Sequence, residues 1–435
     1  MRVLWFTNVL MPDACDGLGK TGLKGTGWWM SALLERLKLR KDMSLAVVTV
    51  GGFKDAHFRV DGVEYFVIRQ TLRSAVLGRL RHPRAAQSSA SQIERYASIV
   101  RQWNADVVHV QGTERDYGLI KAWGLTEKPV VVSIQGLMGA CNRQAFGNLL
   151  PQELAGSWKR RLTGFNSDSL YRWKLYRQQT PIEEQILRSA DLVCGRTEWD
   201  YAWAWALHPA VKYRHVDEAM RPEFLRAEPW SIEKCRRHEV ICTAGDNALK
   251  GLHILLEAIW RLRRTYPDIR LKVAANGFVP RPTNDYAEFV GKLIKRWKLQ
   301  DIVCFLGWVD AQALADQLRG AHCYVTPSFI ENSSNALQEA MLLGLPVVAT
   351  ACGGTPTIVD AGRTGLTFPA GDAAVLALQI HRLFQDDALP ARLGAQARTV
   401  ARERQDPERI EAQLISAYHE AMSASLSPEV THAHA

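Results

Sequence analysis

Two carboxylates flank the start of a predicted helix in the second half of the chain. Glu331 precedes that start and Glu339 lies about one turn inside it, and the helix-capping residues between them are Ser333, Ser334 and Asn335. A helix N-terminus presents free backbone N–H groups and a partial positive charge, so it suits a phosphate or diphosphate. Carboxylates accept hydrogen bonds from sugar hydroxyls, so one could hold a ribose and the other a hexose. The simpler alternative is that Glu331 caps the helix and Glu339 is a solvated helix residue.

The elements around these carboxylates predict one βαβ crossover. The apolar, β-branched run from Cys323 to Thr326 indicates a buried strand, and Glu331 lies in the loop that follows it. Asn335 has Gln338 three positions on, which resembles a capping box. Gly344 ends the helix, and the next predicted strand runs from Val347 to Thr350.

The stretch from Pro327 to Gly371 resembles the donor-site signature of retaining GT-B glycosyltransferases, the GT4-like group also called glycosyl transferases group 1. The matching features are Glu331, seven residues, Glu339, then AMLLGLPVVAT and a Gly-Gly-Thr loop. The resemblance implies that Glu331 contacts the donor sugar and Glu339 the ribose of the nucleotide. It also implies that the backbone of residues 333–335 contacts sugar and diphosphate. The family usually has Phe-Gly after the first Glu, whereas this chain has Asn332-Ser333, which leaves the donor sugar open.

A second motif of that family, the phosphate-binding segment, is matched only in part. Lys250, followed by Gly251, resembles the family's phosphate lysine, and this resemblance implies that it neutralises the leaving diphosphate. Asp246 stands where many relatives have an Arg, so one positive charge is missing or comes from elsewhere. Trp308 follows a predicted strand, as does the family's segment on the side of the nucleotide base. The alternative is that Trp308 is a core residue.

The first half opens with a predicted strand and a long glycine-rich loop. We expect the next helix to start near Gly27, where Gly25 and Gly27 let the backbone approach a diphosphate. The loop also satisfies G-x-G-x-x-G and a loose P-loop pattern, but both motifs need a strand directly before and a helix directly after. A P-loop nucleotide hydrolase would require Lys20 at a helix start.

The runs VVHV and VVVSI are apolar on all sides and predict a parallel sheet covered on both faces. Ligands bind beyond the carboxyl ends of such strands, where this chain places Gln111, Glu114 and Gln135. We assign Gln111 and Glu114 to the acceptor side. Related enzymes commonly place a His where Gln135 stands, aimed at the donor sugar, and Gln can donate a hydrogen bond but cannot take up a proton. His109 lies inside a strand and is predicted to be structural.

Length and composition limit the classes of protein to which the chain can belong. The chain has 435 residues, 47% hydrophobic and 23% charged, which fits two or three globular domains. No apolar run approaches the roughly 18 to 20 residues that span a membrane, and the N-terminus lacks a signal-peptide pattern. The eight cysteines form no C-x-x-C pair, so we expect reduced thiols in a cytoplasmic protein and neither a zinc site nor a disulfide framework.

The net charge of +9 belongs to the first half of the chain. Residues 1–215 hold 30 Lys and Arg against 19 Asp and Glu, whereas the remainder holds 24 against 26. Two basic segments with aromatic or apolar neighbours account for much of the excess. They are solvated helix faces or a peripheral contact with anionic lipid at the inner face of the membrane, and nucleic acid is disfavoured. Their basic residues are Arg73, Arg79, Arg81 and Arg84, then Lys159, Arg160, Arg161, Arg172, Lys174 and Arg177.

The predicted fold class is α/β, of the GT-B type, with two Rossmann-like doubly wound domains facing across a cleft. We place the acceptor-side domain at residues 1–215, the donor domain at 216–405, and a returning helix with a disordered tail at 406–435. The resemblance implies a retaining hexosyltransferase that needs no cofactor beyond its substrate, a UDP- or GDP-sugar. No Asp-x-Asp occurs, so we expect no metal.

The expected acceptor is a glycan or polyprenyl-linked intermediate of bacterial-type surface polysaccharide synthesis. The alternative is a GT-B sugar-nucleotide-binding protein with lost catalysis, because Gln135 and Asp246 both depart from the usual site.

Overall fold

The computed structural model describes residues 1–18, 27–52, 54–69, 89–154, 168–279 and 281–425. The first of its two sheets has eight strands in the order β3-β4-β2-β1-β5-β6-β7-β8, and β3 is antiparallel to β4 while the other neighbours are parallel. The strands are β1 Arg2–Thr7, β2 Ser44–Gly52, β3 Ala56–Val60, β4 Val63–Arg69, β5 Val107–Gln111, β6 Val130–Ser133, β7 Leu192–Gly195 and β8 Tyr213–His215.

The second sheet has six strands in the order β11-β10-β9-β12-β13-β14, and all neighbours are parallel. With helices packed around both sheets, the predicted class of two doubly wound α/β domains is confirmed. The strands are β9 Glu239–Cys242, β10 Arg270–Val273, β11 Val303–Phe305, β12 Cys323–Thr326, β13 Val347–Thr350 and β14 Leu366–Phe368.

The helices follow strands in the βαβ manner. Those of the first half are α1 Pro12–Gly17, α2 Trp28–Lys38, α3 Ala90–Trp103, α4 Leu119–Ala122, α5 Met138–Arg143, α6 Asp168–Ser189 and α7 Glu198–Leu207. Those of the second half are α8 Pro222–Arg226, α9 Leu252–Leu262, α10 Asp285–Arg296, α11 Ala311–Gly320, α12 Asn335–Leu343, α13 Thr355–Ile358, α14 Ala373–Gln385, α15 Ala388–Arg404 and α16 Pro407–Ser425.

The last helix, α16, returns to the first sheet. The hydroxyl of Tyr418 accepts a hydrogen bond from the indole N–H of Trp5 at 2.8 Å and lies 2.7 Å from Nδ1 of His109. His109 is also 2.7 Å from the hydroxyl of Ser133, and burial lowers its pKa to about 3. The prediction that His109 is structural is therefore confirmed.

Strand β3 and helix α1 are among the elements that were not predicted. Strand β3 forms a hairpin with β4 through Asp61 and Gly62, both with positive φ, which is the signature of a type I′ turn. Helix α1 occupies the beginning of the segment that resembles a P-loop. Lys20 and Gly25 lie outside the described residues, whereas Gly27 is the N-cap of α2, as predicted, with φ of 74°.

Among the described residues, no helix is long and apolar enough to cross a bilayer. The arginines at 73, 79, 81 and 84 and the basic residues at 159–161 lie outside the described ranges. In the described part of the second basic segment, the guanidinium of Arg177 lies 5.7 Å from the ring of Trp173. None of the eight cysteines, all of which lie in the described ranges, forms a disulfide; four of them are buried, and Cys304 is exposed.

Candidate active site

The start of α12 is built by local capping. The Ser334 hydroxyl accepts a hydrogen bond from the backbone N–H of Leu337, and Gly344 ends the helix with φ of 76°. The predicted capping box at Asn335 is wrong, because the cap lies one residue earlier and the Gln338 side chain donates instead to the Ser333 hydroxyl at 3.1 Å. Helix α12 therefore begins with a capped turn beyond the carboxyl end of β12, and backbone N–H groups at such a helix start suit an anion.

A cleft of about 420 Å³ opens in front of this helix start. It gathers the predicted donor-side residues on the second domain, together with Trp28 from the start of α2. Trp308 is 61% exposed and lines the same cleft, so the alternative that it is a core residue is wrong. The donor-side residues in the lining are Lys250, Glu331, Ser333, Ser334, Asn335 and Glu339.

Lys250 and Glu331 form an ion pair in this cleft. The Lys250 Nζ donates to Glu331 Oε1 at 2.7 Å, and the Ser328 hydroxyl donates to the same oxygen at 2.7 Å. Desolvation by the cleft walls opposes the charge of Lys250, but Glu331 outweighs it and raises the pKa of Lys250 above its ordinary value. The Lys250 side chain is 41% exposed, so an anionic ligand can reach it. Glu331 thus does not cap the helix.

Gly251 makes this pairing possible. It has a left-handed φ of 66°, and a side chain there would collide with the backbone carbonyl of Pro327. Only glycine allows the turn that carries Lys250 to approach the loop after β12 so closely. The Lys-Gly pair of the sequence therefore has a geometric reason.

Glu339 is buried, and its carboxylate accepts two hydrogen bonds from Arg221. The Arg221 Nε and Nη2 donate to the two carboxylate oxygens, each at 2.7 Å, and the Glu339 side chain is 1% exposed. The guanidinium also lies over the rings of Trp28 at 4.8 Å and Phe224 at 4.7 Å. Glu339 is therefore not a solvated helix residue. Sequence reasoning missed Arg221, which is 118 positions away in a segment predicted only as the exit from the first domain.

The side chain of Asn335 points to the linker between the domains. Its amide donates to Glu218 Oε2 at 2.8 Å, and Glu218 pairs with Arg196 at 2.5 Å. Because Ser334, Asn335 and Ala336 all line the cleft, the helix start still faces it with its backbone. The side chains of Asn335, Glu218 and Arg196 thus connect α12, the linker and the end of β7.

Gln135 and Gln111 line a separate cavity of about 30 Å³ next to His109 and Arg196. The backbone carbonyl of Gln135 accepts hydrogen bonds from Arg196 Nη2 at 3.1 Å and Asn332 Nδ2 at 3.2 Å. Gln111 donates to His109 Nδ1 at 3.1 Å. The cleft lining does not include either glutamine, and a role for them in the reaction stays a prediction.

Glu114 lies at the carboxyl end of β5, partly exposed. Its Oε2 accepts a hydrogen bond from the amide of Asn8 at 2.6 Å. Burial of the carboxyl, with the nearby charge of Glu183, raises the pKa of Glu114 to about 7, although Arg196 and Asn8 oppose the shift. This carboxyl therefore changes protonation near neutral pH.

Glu183, which sequence reasoning also missed, holds the loops after β5 and β6 together. Its carboxylate accepts hydrogen bonds from the Thr113 hydroxyl at 2.8 Å, the Met138 N–H at 2.8 Å and the Gly139 N–H at 3.0 Å. Burial raises the pKa of Glu183, and these hydrogen bonds oppose the shift. The residue that precedes Glu114 and the two that begin α5 are thus fixed by one side chain.

Asp246 is built into its loop. Its Oδ2 accepts hydrogen bonds from Asn284 at 2.7 Å and Thr283 at 3.2 Å. Arg172 of the first domain lies 3.8 Å from its Oδ1. A positive charge does reach this position, but from the opposite domain.

Within the described ranges, no three His, Cys, Asp or Glu side chains are grouped so that they could hold a metal ion. Independence of metal stays a prediction.

The chain is similar to solved glycosyltransferase structures over nearly its whole length. A sucrose-phosphate synthase from Thermosynechococcus elongatus has a TM-score of 0.71 and 17% identity, over 97% of this chain and 99% of that one. Anabaena Alr3699/HepE, solved in complex with UDP and glucose, has a TM-score of 0.64 and 17% identity, over 96% and 99%. These likenesses, together with two largely parallel sheets, define the GT-B fold.

Sequence comparisons agree for the second domain. Residues 237–386, which contain Lys250, Glu331 and Glu339, match the family model described as glycosyl transferases group 1. The match to this family model lies within the second domain and does not extend to the first.

Two curated glycosyltransferases are similar to part of this chain. A D-inositol 3-phosphate glycosyltransferase of Streptomyces bingchenggensis is 33% identical over 256 residues, 55% of each chain. WcaL of Escherichia coli K12, assigned by name to colanic acid biosynthesis, is 26% identical over 217 residues, 48% of this chain and 51% of that protein. The chain thus spans about half the length of the curated relatives it matches.

Proposed function

We propose that this chain transfers a hexosyl group from a nucleotide-diphospho-sugar to a hydroxyl of a glycan or lipid-linked acceptor, with retention of configuration. The observation that carries the proposal is the Lys250–Glu331 pair at the capped start of α12. A cation, a helix N-terminus and two carboxylates meet there in one cleft. This combination suits a ligand with an anionic diphosphate between two hydroxyl-bearing sugars.

The nucleotide half of the donor fits Glu339. An ionised carboxylate offers about four acceptor positions, and Arg221 occupies two of them. The remaining positions suit the two ribose hydroxyls, and Arg221 fixes the carboxylate in place. The Anabaena neighbour solved with UDP supports a uridine nucleotide, and a guanosine nucleotide is the other donor class to test.

The sugar half fits Glu331. Both described hydrogen bonds to this carboxylate go to Oε1, which leaves Oε2 for a hexose hydroxyl. Lys250 and the N–H groups at the start of α12 stabilise the negative charge that develops on the leaving diphosphate. The same charges make a metal unnecessary in this proposal. Retention then proceeds on one face of the sugar, with the leaving phosphate accepting the proton of the acceptor hydroxyl.

The acceptor is proposed from the names of the curated relatives and from the charge of the first half of the chain. The relative named for colanic acid biosynthesis favours a surface polysaccharide intermediate, whereas the relative named D-inositol 3-phosphate glycosyltransferase favours a small acceptor. The basic first half favours a protein in the cytoplasm that contacts anionic lipid at the inner face of the membrane.

The function is tested by a thermal-shift screen of UDP- and GDP-sugars, followed by a donor-hydrolysis assay. Binding of a sugar nucleotide raises the melting temperature, because the ligand binds the folded state. Slow release of nucleoside diphosphate without acceptor marks an intact transferase. Binding without hydrolysis or transfer would favour the binding-protein alternative, and absence of binding would contradict the proposed function.

A further inference from the structure

Arg196 lies at the contact between the two domains. It directly follows β7, and Ile134 and Gln135 follow β6, the neighbouring strand of the first sheet. The Arg196 Nη2 donates to the backbone carbonyls of both residues, each at 3.1 Å. Its Nη1 lies 2.5 Å from Glu218 Oε2 in the linker. The guanidinium is therefore buried and has a partner at each of its two amino groups.

The side chain of Asn332 reaches the same two carbonyls from the second domain. Its Nδ2 donates to Ile134 at 3.3 Å and to Gln135 at 3.2 Å. A carbonyl oxygen has two lone pairs, so each carbonyl accepts one hydrogen bond from Arg196 and one from Asn332. Asn332 is buried, and the Thr197 hydroxyl of the first domain donates to its Oδ1 at 3.4 Å. Asn332 thus belongs to the contact between the domains.

Asn335, three positions later, makes a second connection to the surroundings of Arg196. Its Nδ2 donates at 2.8 Å to Glu218 Oε2, which is the oxygen that pairs with Arg196. Both asparagines of the loop after β12 therefore share a partner with the same guanidinium. We call the side chains of Arg196, Glu218, Asn332 and Asn335 the interdomain clasp.

A pair of glycines holds the backbone of this loop from the other side. The Gly354 N–H donates to the Glu331 carbonyl at 2.9 Å. A side chain on Gly353, which has φ of 51°, would collide with that carbonyl, and one on Gly354 would collide with the Asn332 carbonyl and with Thr197. Only glycine allows so close an approach. The backbone at Glu331 and Asn332 is therefore confined between the two glycines and the first domain.

We propose that Arg196 is a positioning residue for the transfer reaction, because through the interdomain clasp it fixes the loop that carries Glu331. The described lining of the cleft includes Glu331 but not Arg196, so the arginine acts on the donor sugar only through this loop. The loop can leave the first domain only if the hydrogen bonds of Asn332 and Asn335 break. The inference rests on the proposed function and makes the approach of the two domains and the placement of the Glu331 carboxylate a single event.

The chemistry of the clasp explains why an arginine is present. A guanidinium is a planar fork of N–H donors, so it serves two carbonyls and a carboxylate at once. A lysine would keep the positive charge beside Glu218, but its single ammonium group cannot reproduce this fork. Arg196→Lys therefore retains the buried charge pair and removes the geometry on which the inference depends.

The first test measures donor hydrolysis by the full chain with UDP-glucose, or with the sugar nucleotide that gives the largest thermal shift. Asn332→Ala and Asn335→Ala each remove one connection and leave the buried pair of Arg196 and Glu218 intact. We expect these variants and Arg196→Lys to lower kcat about five- to ten-fold, the equivalent of about one net hydrogen bond, with an unchanged dissociation constant for free UDP. Gln102→Ala, which removes an exposed amide in α3, is the matched control and should change neither value.

A double-mutant cycle tests whether the residues act together. The fold-loss caused by Asn332→Ala should be smaller in the Arg196→Lys background than in the parent, because the first change already loosens the loop that the second would release. Losses that multiply as for independent sites would show that Asn332 does not act with Arg196 and would overturn the inference.

Hydrogen exchange followed by mass spectrometry gives a measurement that does not depend on turnover. Exchange in the peptide covering residues 328–336 should become faster in Asn332→Ala and in Arg196→Lys, while exchange in the central strands β1 and β9 stays as in the parent. Parental turnover in all three variants, or unaltered exchange in this loop, would overturn the positioning role. A parent that neither binds nor hydrolyses any sugar nucleotide would instead remove the proposed function, whatever the exchange of the loop.

Discussion

Replacement of Glu339 by Ala should weaken both the fold and nucleotide binding. The buried carboxylate accepts two hydrogen bonds of 2.7 Å from Arg221, so the variant leaves a guanidinium without its anion. Removal of one partner of a buried ion pair costs about 3 to 5 kcal/mol. We expect a loss near the lower limit, because Arg221 retains the rings of Trp28 and Phe224 beside it.

The effect on ligand binding is separate from the effect on stability. Loss of the acceptor for the ribose hydroxyls should cost about 1 to 3 kcal/mol, which raises the dissociation constant for free UDP about five- to 150-fold. Isothermal titration calorimetry at a temperature where the variant is folded measures this change. Glu257→Ala, which removes a partly exposed carboxylate paired with Arg261 in α9, controls for the loss of a paired charge away from the cleft.

Arg221→Met distinguishes the two roles of the pair. It should lower the free energy of unfolding by a similar amount but keep the Glu339 carboxylate available to the ribose, so UDP affinity should fall less than in Glu339→Ala. A folded Glu339→Ala variant that binds free UDP as tightly as the parent would refute the assignment of Glu339 to the nucleotide.

Three further predictions concern the sugar and acceptor sides. Glu331→Ala should reduce turnover sharply with nearly unchanged affinity for free UDP, and full transferase activity would contradict its role. Gln135→Ala should lower turnover about ten-fold per 1.4 kcal/mol of lost hydrogen bonding, while Gln135→His keeps much of the activity; parental turnover in the Ala variant would make this residue structural. Because the pKa of Glu114 is raised from 4.5 to about 7, the folded state binds its proton more tightly, so stability falls as pH rises through this window. Glu114→Gln should remove that fall, and parallel pH–stability curves measured by thermal unfolding would disprove it.

Peripheral membrane contact has its own test. Charge reversal at Arg79, Arg81 and Arg84 together should release the protein from anionic vesicles, since each basic residue near such a surface contributes about 1 kcal/mol. Unchanged sedimentation of the triple variant with vesicles, or no sedimentation of the parent, would reject this contact.

The local part of the site could be predicted from the sequence. The strand before Glu331, the capped helix and the stop at Gly344 are each encoded within a few residues of the position they determine. The start of α2 at Gly27 is likewise encoded by residues close to it in the sequence. The β3–β4 hairpin was also available, because Asp61-Gly62 between two apolar strands is a strong turn signal that the interpretation did not use.

The remainder depends on contacts between distant segments. Arg221 meets Glu339 across 118 positions, and Glu183 meets Thr113 across 70. Neither residue has a neighbour in sequence that marks its role, since an arginine before a proline and a glutamate within a helix are both common. Pairings of this kind are decided by how the two domains and their loops pack, which local pattern does not encode.

The return of α16 to the first sheet has a consequence for biosynthesis. Tyr418 bonds to Trp5, 413 residues earlier, and buried side chains of α16 fill the same core as β1 and α2. Domains usually fold as they leave the ribosome, the N-terminal one first. Here the first domain stays without part of its core until nearly the whole chain has been synthesised. The N-terminal domain is therefore the last to be completed, and a chain cut after the donor domain would leave its apolar face open to aggregation.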